Sequence, residues 1–226
     1  MRSFHALLAV CCLSALTACV TAAKMMVPGD LAARSDRVEV SGIGAGTQGR
    51  TSVLGQTLEF TRSASRLSLF DDLQVSDRGR VDFTLSTPGQ PPQSARCRMR
   101  QRSLTLGVVN FDAKPFAFEC ELDGAVLSMQ EPRGGVRTLK AERRGELRFE
   151  GRSVALRSVH EAQGSALPLA APIGYLFEEG GRAVGAVEIN GTRPVLLLPA
   201  GDAALRQRLL QASLALALLW DPAGAP

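Results

Sequence analysis

The sequence predicts a mainly β fold: an antiparallel barrel of about 12 strands with a hydrophobic C-terminal helix inside the barrel. Three observations carry that expectation. From Ala33 onward, short segments alternate apolar and polar residues with a period of two. Between them stand dipeptides suited to tight hairpins, Asp123-Gly124 and Asn190-Gly191 foremost, because Asn, Asp and Gly tolerate the positive φ such turns require. Near the C-terminus the pattern breaks into a single helical stretch whose second half is apolar on almost every side. A β-sandwich with the helix packed on one sheet is the alternative that the same pattern allows.

Taken in chain order, Val38–Val40 reads as a strand before the glycine-rich loop Gly44–Gly49, and Arg50–Gly55 precedes another β-like run. Residues 94–101, 103–109 and 115–122 read as three strands of a meander, the last alternating Phe116, Phe118, Cys120 and Leu122 with Glu119 and Glu121. Leu147 and Phe149 alternate with Arg148 and Glu150, Arg152–His160 reads as a further strand, and Val187 and Ile189 flank Glu188. Gly134-Gly135, Arg144-Gly145, Glu150-Gly151 and Gly180-Gly181 mark weaker turns. Residues 36–198 thus hold about 11 to 13 strands. Asp202 is placed to cap a helix over Ala203–Trp220, which Asp221-Pro222 stops. Its first half opposes Leu205, Leu209 and Leu210 to Arg206, Gln207, Arg208 and Gln211, while Ala212–Trp220 is apolar except for Ser213. A helix apolar all round is buried all round, and this one is too short to span a bilayer.

The stretch Gly174–Gly191, followed by Pro194–Leu198 and the apolar helix, resembles the C-terminal part of tubby-like domains, which include the plant LURP-one-related proteins and the phospholipid scramblases. The resemblance implies a closed barrel around a central hydrophobic helix, with headgroup binding at its surface.

At the other end, Met1–Ala18 reads as an export signal, with Arg2 as its basic region and Leu7–Leu16 as its apolar core. Leu16-Thr17-Ala18-Cys19 resembles the lipobox of bacterial lipoproteins. That resemblance implies removal of residues 1–18 and acylation of Cys19 with a diacylglyceryl group, a stable membrane anchor. Val20 stands where Asp would imply retention at the inner membrane, so the implied address is the periplasmic face of the outer membrane. Residues 19–35 then form a lipidated tether, 36–222 a single β domain that includes the helix 203–220, and 223–226 a disordered tail. Nucleic acid is not expected as a partner in that compartment.

Composition narrows the chemistry. The chain has 226 residues, 45% hydrophobic and 21% charged, enough to bury a core and unlike a disordered or collagen-like chain. No apolar run reaches the roughly 20 residues of a spanning helix, which excludes a multi-pass membrane protein. The net charge is +4, carried by 23 Arg and only 3 Lys. After Cys19 only Cys97 and Cys120 remain, and an even pair in an exported protein favours a disulfide. The meander argues against it. Cysteines on its first and third strands would be nearly 10 Å apart, whereas a disulfide needs α-carbons within about 7 Å. Either the meander is wrong or the thiols are free and buried.

No residue set points to catalysis, so the chain is not expected to be an enzyme. Gly44–Gly49 matches G-x-G-x-x-G, but no crossover helix follows to meet a pyrophosphate, so it reads as a flexible loop and no cofactor is expected. His160, the only histidine besides His5, has no G-x-S-x-G partner and reads as structural. A single His with two Cys that can pair with each other makes no zinc site, and no metal is expected. Asp71-Asp72 and Glu178-Glu179 are adjacent, so on a strand their side chains point to opposite faces. The remaining candidate is Arg96, Arg98, Arg100 and Arg102, which period-two spacing places on one face opposite Ala95, Cys97 and Met99. A row of guanidiniums suits forked hydrogen bonding to phosphate, unless cross-strand acids such as Glu119 and Glu121 neutralise it. Two readings follow: a non-catalytic binding or structural domain that engages another envelope protein, and a protein that binds lipid or anionic lipid headgroups.

Overall fold

The computed structural model describes residues 23–69, 74–106, 109–132 and 140–220. The signal segment, Cys19, Asp71-Asp72, Gly134-Gly135 and the tail 223–226 lie outside the described residues. Twelve strands form one antiparallel sheet: β1 (Ser35–Glu39), β2 (Gln48–Val53), β3 (Gln56–Leu69), β4 (Gln74–Ser86), β5 (Gln93–Leu106), β6 (Val109–Leu122), β7 (Ala125–Gln130), β8 (Arg144–Phe149), β9 (Arg152–Val159), β10 (Gly174–Glu179), β11 (Arg182–Glu188) and β12 (Val195–Pro199). From β2 to β12 each strand pairs with its neighbour in the chain, and β12 then pairs with β1. The sheet curls into a nearly closed barrel, and the sandwich alternative is not what forms.

The period-two pattern sets the two faces. Phe116, Phe118, Cys120 and Leu122 are buried while Glu119 and Glu121 are exposed. The same parity puts Leu58, Phe60, Val81, Phe83, Leu147 and Phe149 into one core. That core is completed by the helix, now α2, observed over Ala203–Leu218. Leu209, Leu210, Ala212, Leu214, Ala215, Leu216 and Leu218 are all buried, on every side of the helix, and join the same core cluster. The helix therefore lies inside the curved sheet. It approaches β11 so closely that a Cβ on Gly185 would sit 2.6 Å from Leu209 Cδ1 and 3.0 Å from the Leu197 carbonyl oxygen, so any larger residue there must push the Leu209 side chain aside. Asp202 caps α2 by accepting from Leu205 N at 2.9 Å and also accepts from Arg152 at 2.8 Å. The cap bond, and then the Arg152 guanidinium, hold its carboxyl below the usual range. Gln211, assigned from sequence to the polar face, is buried, and its amide donates to Gln93 at 3.0 Å.

Two sequence expectations are corrected. The segments 94–101 and 103–109 are not two strands of a meander. β5 runs unbroken from Gln93 to Leu106, with register irregularities between Arg100 and Ser103. A bulge inside one strand changes parity just as a turn between two strands would, and nothing in Gln101-Arg102-Ser103 distinguishes them by composition. Cys97 and Cys120 consequently sit directly opposite each other on β5 and β6, bridged by a disulfide with α-carbons 4.0 Å apart. The second correction concerns the tether read over 19–35. From Lys24 onward the chain is already part of the fold. Met25 pairs with Ala162, Met26 N donates to Glu161 O, and the short helix α1 (Gly29–Ala33) buries Leu31 completely. This segment packs with Val159, Ile173, Leu176 and Ala186 in a second cluster that covers β9–β11 from outside. β10 is therefore buried on both faces from Gly174 to Phe177.

The barrel has two distinct ends. Chain direction puts the start of α2 and the turns at 54–55, 123–124, 150–151 and 180–181 at one end, here the entry end. The end of α2 and the loops 40–47, 160–173 and 189–194 lie at the other, the exit end. Among the described residues no ladder joins β1 to β2, and loop 40–47 spans that seam near the exit end. Arg62 holds it there. The guanidinium points inward from β3 and donates to the carbonyls of Ile43 (3.0 Å), Gly44 and Gly46 (2.9 Å), with Phe60 and Trp220 beneath it at 5.6 and 5.4 Å. Partial burial lowers its pKa from the ordinary arginine value. Arg62→Ala is expected to cost about 1–3 kcal/mol, since three carbonyls lose a charged donor. Hydrogen exchange should show faster exchange confined to β1, β2 and loop 40–47; an unchanged pattern there would mean the loop closes the seam without Arg62.

Candidate functional site

Arg96, Arg98 and Arg100 lie exposed on one outer face beside the buried Ala95, Cys97 and Met99, whereas Arg102 sits in the irregular stretch of β5 and is half-buried. Their neighbours decide what each can do. Arg96 is flanked in register by Asp82 on β4 and Glu121 on β6, an acid on each side. It lines a groove of about 720 Å³ with Arg50, Glu59 and Asp82, in which Arg50 and Glu59 pair at 2.9 Å. Charges are balanced there. Arg102, within the irregular stretch, donates to Ser76 Oγ at 3.3 Å and stands opposite Lys114.

Arg98 and Arg100 have a different setting. Directly opposite them on β4 stand Arg80 and Arg78, and opposite those on β3 stand Ser63 and Ser65. The two rows Ser63-Arg80-Arg98-Glu119 and Ser65-Arg78-Arg100-Ala117 line a surface groove of about 470 Å³ across β3–β6. All four guanidiniums belong to exposed residues. Glu119, the cross-strand acid expected to neutralise Arg98, instead accepts from Arg100 at 3.4 Å, with both partners well exposed. Among the described residues Arg78, Arg80 and Arg98 have no carboxylate within ion-pair distance. Like charges directly opposite each other destabilise a sheet. Two such pairs in succession are a local conflict of the kind that marks a binding site.

The groove is held on a rigid base. Adjacent strands are about 4.8 Å apart and alternate residues about 6.8 Å apart, so the guanidiniums spring from a fixed lattice. Behind it, Cys97–Cys120 ties β5 to β6 on the inner face. The arrangement presents planar forks of donors and two hydroxyls, a donor set matched to phosphate oxygens. Arg78 and Arg80 were missed in the sequence, although Arg78-Gly79-Arg80-Val81 shows the same alternation. What was lacking was the pairing that sets β4 against β5.

The other sequence candidates have structural occupations. His160 is buried, with Nε2 3.0 Å from Ser158 Oγ and Nδ1 2.9 Å from the carbonyl of Leu169, so it pins the loop after β9. The loop Gly44–Gly49 offers its carbonyls to Arg62 and leads into β2, not into a helix. Glu178 and Glu179 pair with Arg157 and Arg152, at 3.1 and 3.0 Å. Among the described residues no group of three or more His, Cys, Asp or Glu could hold a metal ion, and no helix is long and apolar enough to cross a membrane.

No family model matches the chain, and no curated protein and no solved structure matches it significantly. The tubby-like resemblance implied a closed barrel of twelve strands around a helix; the observed twelve-strand barrel is only nearly closed, with no ladder between β1 and β2 among the described residues and the C-terminal helix packed against it. The relationship itself has no match behind it.

Proposed function

We propose that the chain is a non-catalytic, lipid-anchored protein of the bacterial outer membrane, facing the periplasm, whose β domain binds phosphate-bearing anionic ligands in the β3–β6 groove. The observation that carries the reading is the pair of opposed arginines, Arg80 with Arg98 and Arg78 with Arg100, for which Glu119 is the one acid lining the groove. The lipobox-like Leu16-Thr17-Ala18-Cys19 supports the anchor. The groove lining supports binding over turnover: its serines have no base beside them, and its carboxylate is engaged by Arg100.

The test uses Cys19→Ser protein, so that its own lipid does not decide the outcome. It is expected to sediment with phosphatidylglycerol vesicles and not with phosphatidylcholine vesicles. Arg98→Glu combined with Arg100→Glu should lower that partition at least about tenfold, equivalent to about 1.4 kcal/mol. Binding should weaken steeply toward 1 M salt, where the screening length falls to about 3 Å. Competition by millimolar inorganic phosphate would identify the phosphate group itself as the recognised element; binding that only vesicles sustain would identify a lipid headgroup in its membrane. Unchanged partition of the double variant overturns the proposal.

A further inference from the structure

We propose that the exit end of the barrel rests on the bilayer surface, with Met26, Leu167, Leu169 and Trp220 in contact with lipid; this rests on the Cys19 anchor proposed above. The first argument is reach. The chain joins the fold at the exit end, where Lys24 O accepts from Gln163 N and Met25 N donates to Glu188. Five peptide units separate Cys19 from Lys24, and fully extended they span at most about 18 Å. A domain attached by so short a spacer keeps its attachment end at the headgroups.

The second argument is the distribution of surface side chains. Seven large apolar residues are exposed among the described ones, and single exposed leucines are ordinary. Their placement is not. Met26 (49% exposed), Leu67 (56%), Leu167 (77%), Leu169 (40%) and Trp220 (37%) lie at the exit end, whereas the entry end has Leu54 and, several strands away, Val126. Met26 and Leu169 flank the same segment, since Met26 N bonds Glu161 O and Leu169 N bonds His160 O. Ion pairs occur at both ends, Arg206 with Asp36 at 2.7 Å and Arg152 with Glu179 and Asp202 at the entry end, Arg66 with Asp77 at 2.8 Å and Lys140 with Glu161 at 3.1 Å at the exit end, so it is the apolar side chains that set the exit end apart.

The third argument is charge. All three lysines of the chain, Lys24, Lys114 and Lys140, lie at the exit end, as do Arg100 and Arg102, although Lys140 is paired with Glu161 and Arg100 with Glu119. Apolar side chains ringed by cations suit an anionic lipid surface.

Trp220 is the only tryptophan, a probe already in place. Acylated protein is reconstituted in phosphatidylglycerol vesicles with or without brominated acyl chains, after the mass of the N-terminal peptide has been measured. Trp220 fluorescence should fall at least about 1.5-fold with brominated lipid. In a Trp220→Phe background, Leu167→Trp at this end should be quenched and Leu54→Trp at the entry end should not. Acylated protein quenched equally at both positions, or at neither, overturns the inference and leaves the anchor standing. Cross-linking of two copies through Leu167 without quenching also overturns it. An N-terminal peptide lacking acyl mass overturns the anchor, and the inference with it.

Discussion

Leu214→Asp is expected to leave no stably folded protein. Leu214 is fully buried in α2, inside a core built from both sides of the barrel. Leucine truncated to alanine at such a site costs about 2–5 kcal/mol. An aspartate adds a charge with no partner within the core, whose desolvation costs several kcal/mol more or forces protonation. A domain of this kind has only about 5–15 kcal/mol to lose. Near-ultraviolet circular dichroism and limited proteolysis should both report loss of the native state. Leu167→Asp is the matched control, exposed at 77% and expected to stay within about 0.5 kcal/mol of the parent. A cooperative melt for Leu214→Asp near that of the parent would show that α2 is not the centre of the core.

Reduction of Cys97–Cys120, or replacement of both by alanine, is expected to lower stability by about 3 kcal/mol. The bridge closes a loop of sequence separation 23, and its effect falls mainly on the unfolded chain, which gains freedom when the link is cut. For a domain of this size the loss corresponds to roughly 6–12 °C in melting temperature. Urea unfolding with and without reductant measures it directly. The β5–β6 ladder survives on paper, since Arg96–Glu121, Arg98–Glu119 and Met99–Phe118 still pair on either side. Vesicle binding by the folded reduced protein should therefore persist at low denaturant. A loss below about 1 kcal/mol would mean that the unfolded chain keeps those strands together without the bridge.

How much of this was legible in the sequence follows from range. Parity is local, so Phe116–Leu122 and Ala95–Met99 declared their inner and outer faces correctly. The cap at Asp202 and the all-round apolar helix are also local signals, and both form as read, though α2 stops at Leu218 and Trp220 ends at the barrel mouth. Pairing is not local. Nothing in residues 76–83 announces that β4 will set Arg78 and Arg80 against Arg100 and Arg98, so half of the groove stayed hidden. The bulge at Gln101–Ser103 was misread because a parity change has the same signature whether the chain turns back or kinks. The docking of Met25–Arg34 was missed for another reason. It depends on a complementary outer face of β9–β11 that no alternation within residues 24–34 can reveal.

The position of α2 in the chain has a consequence for how the molecule comes into being. The helix follows every strand, yet it supplies the surface on which those strands close. Until Ala203–Leu218 is available, the strands have a ladder to zip along but no interior to bury, and β1 must wait for β12 to complete its pairing. The topology therefore leads us to expect folding gated by α2 rather than nucleated by the first strand. A chain of this design is expected to condense late, with its largest loop closures concentrated in one final step.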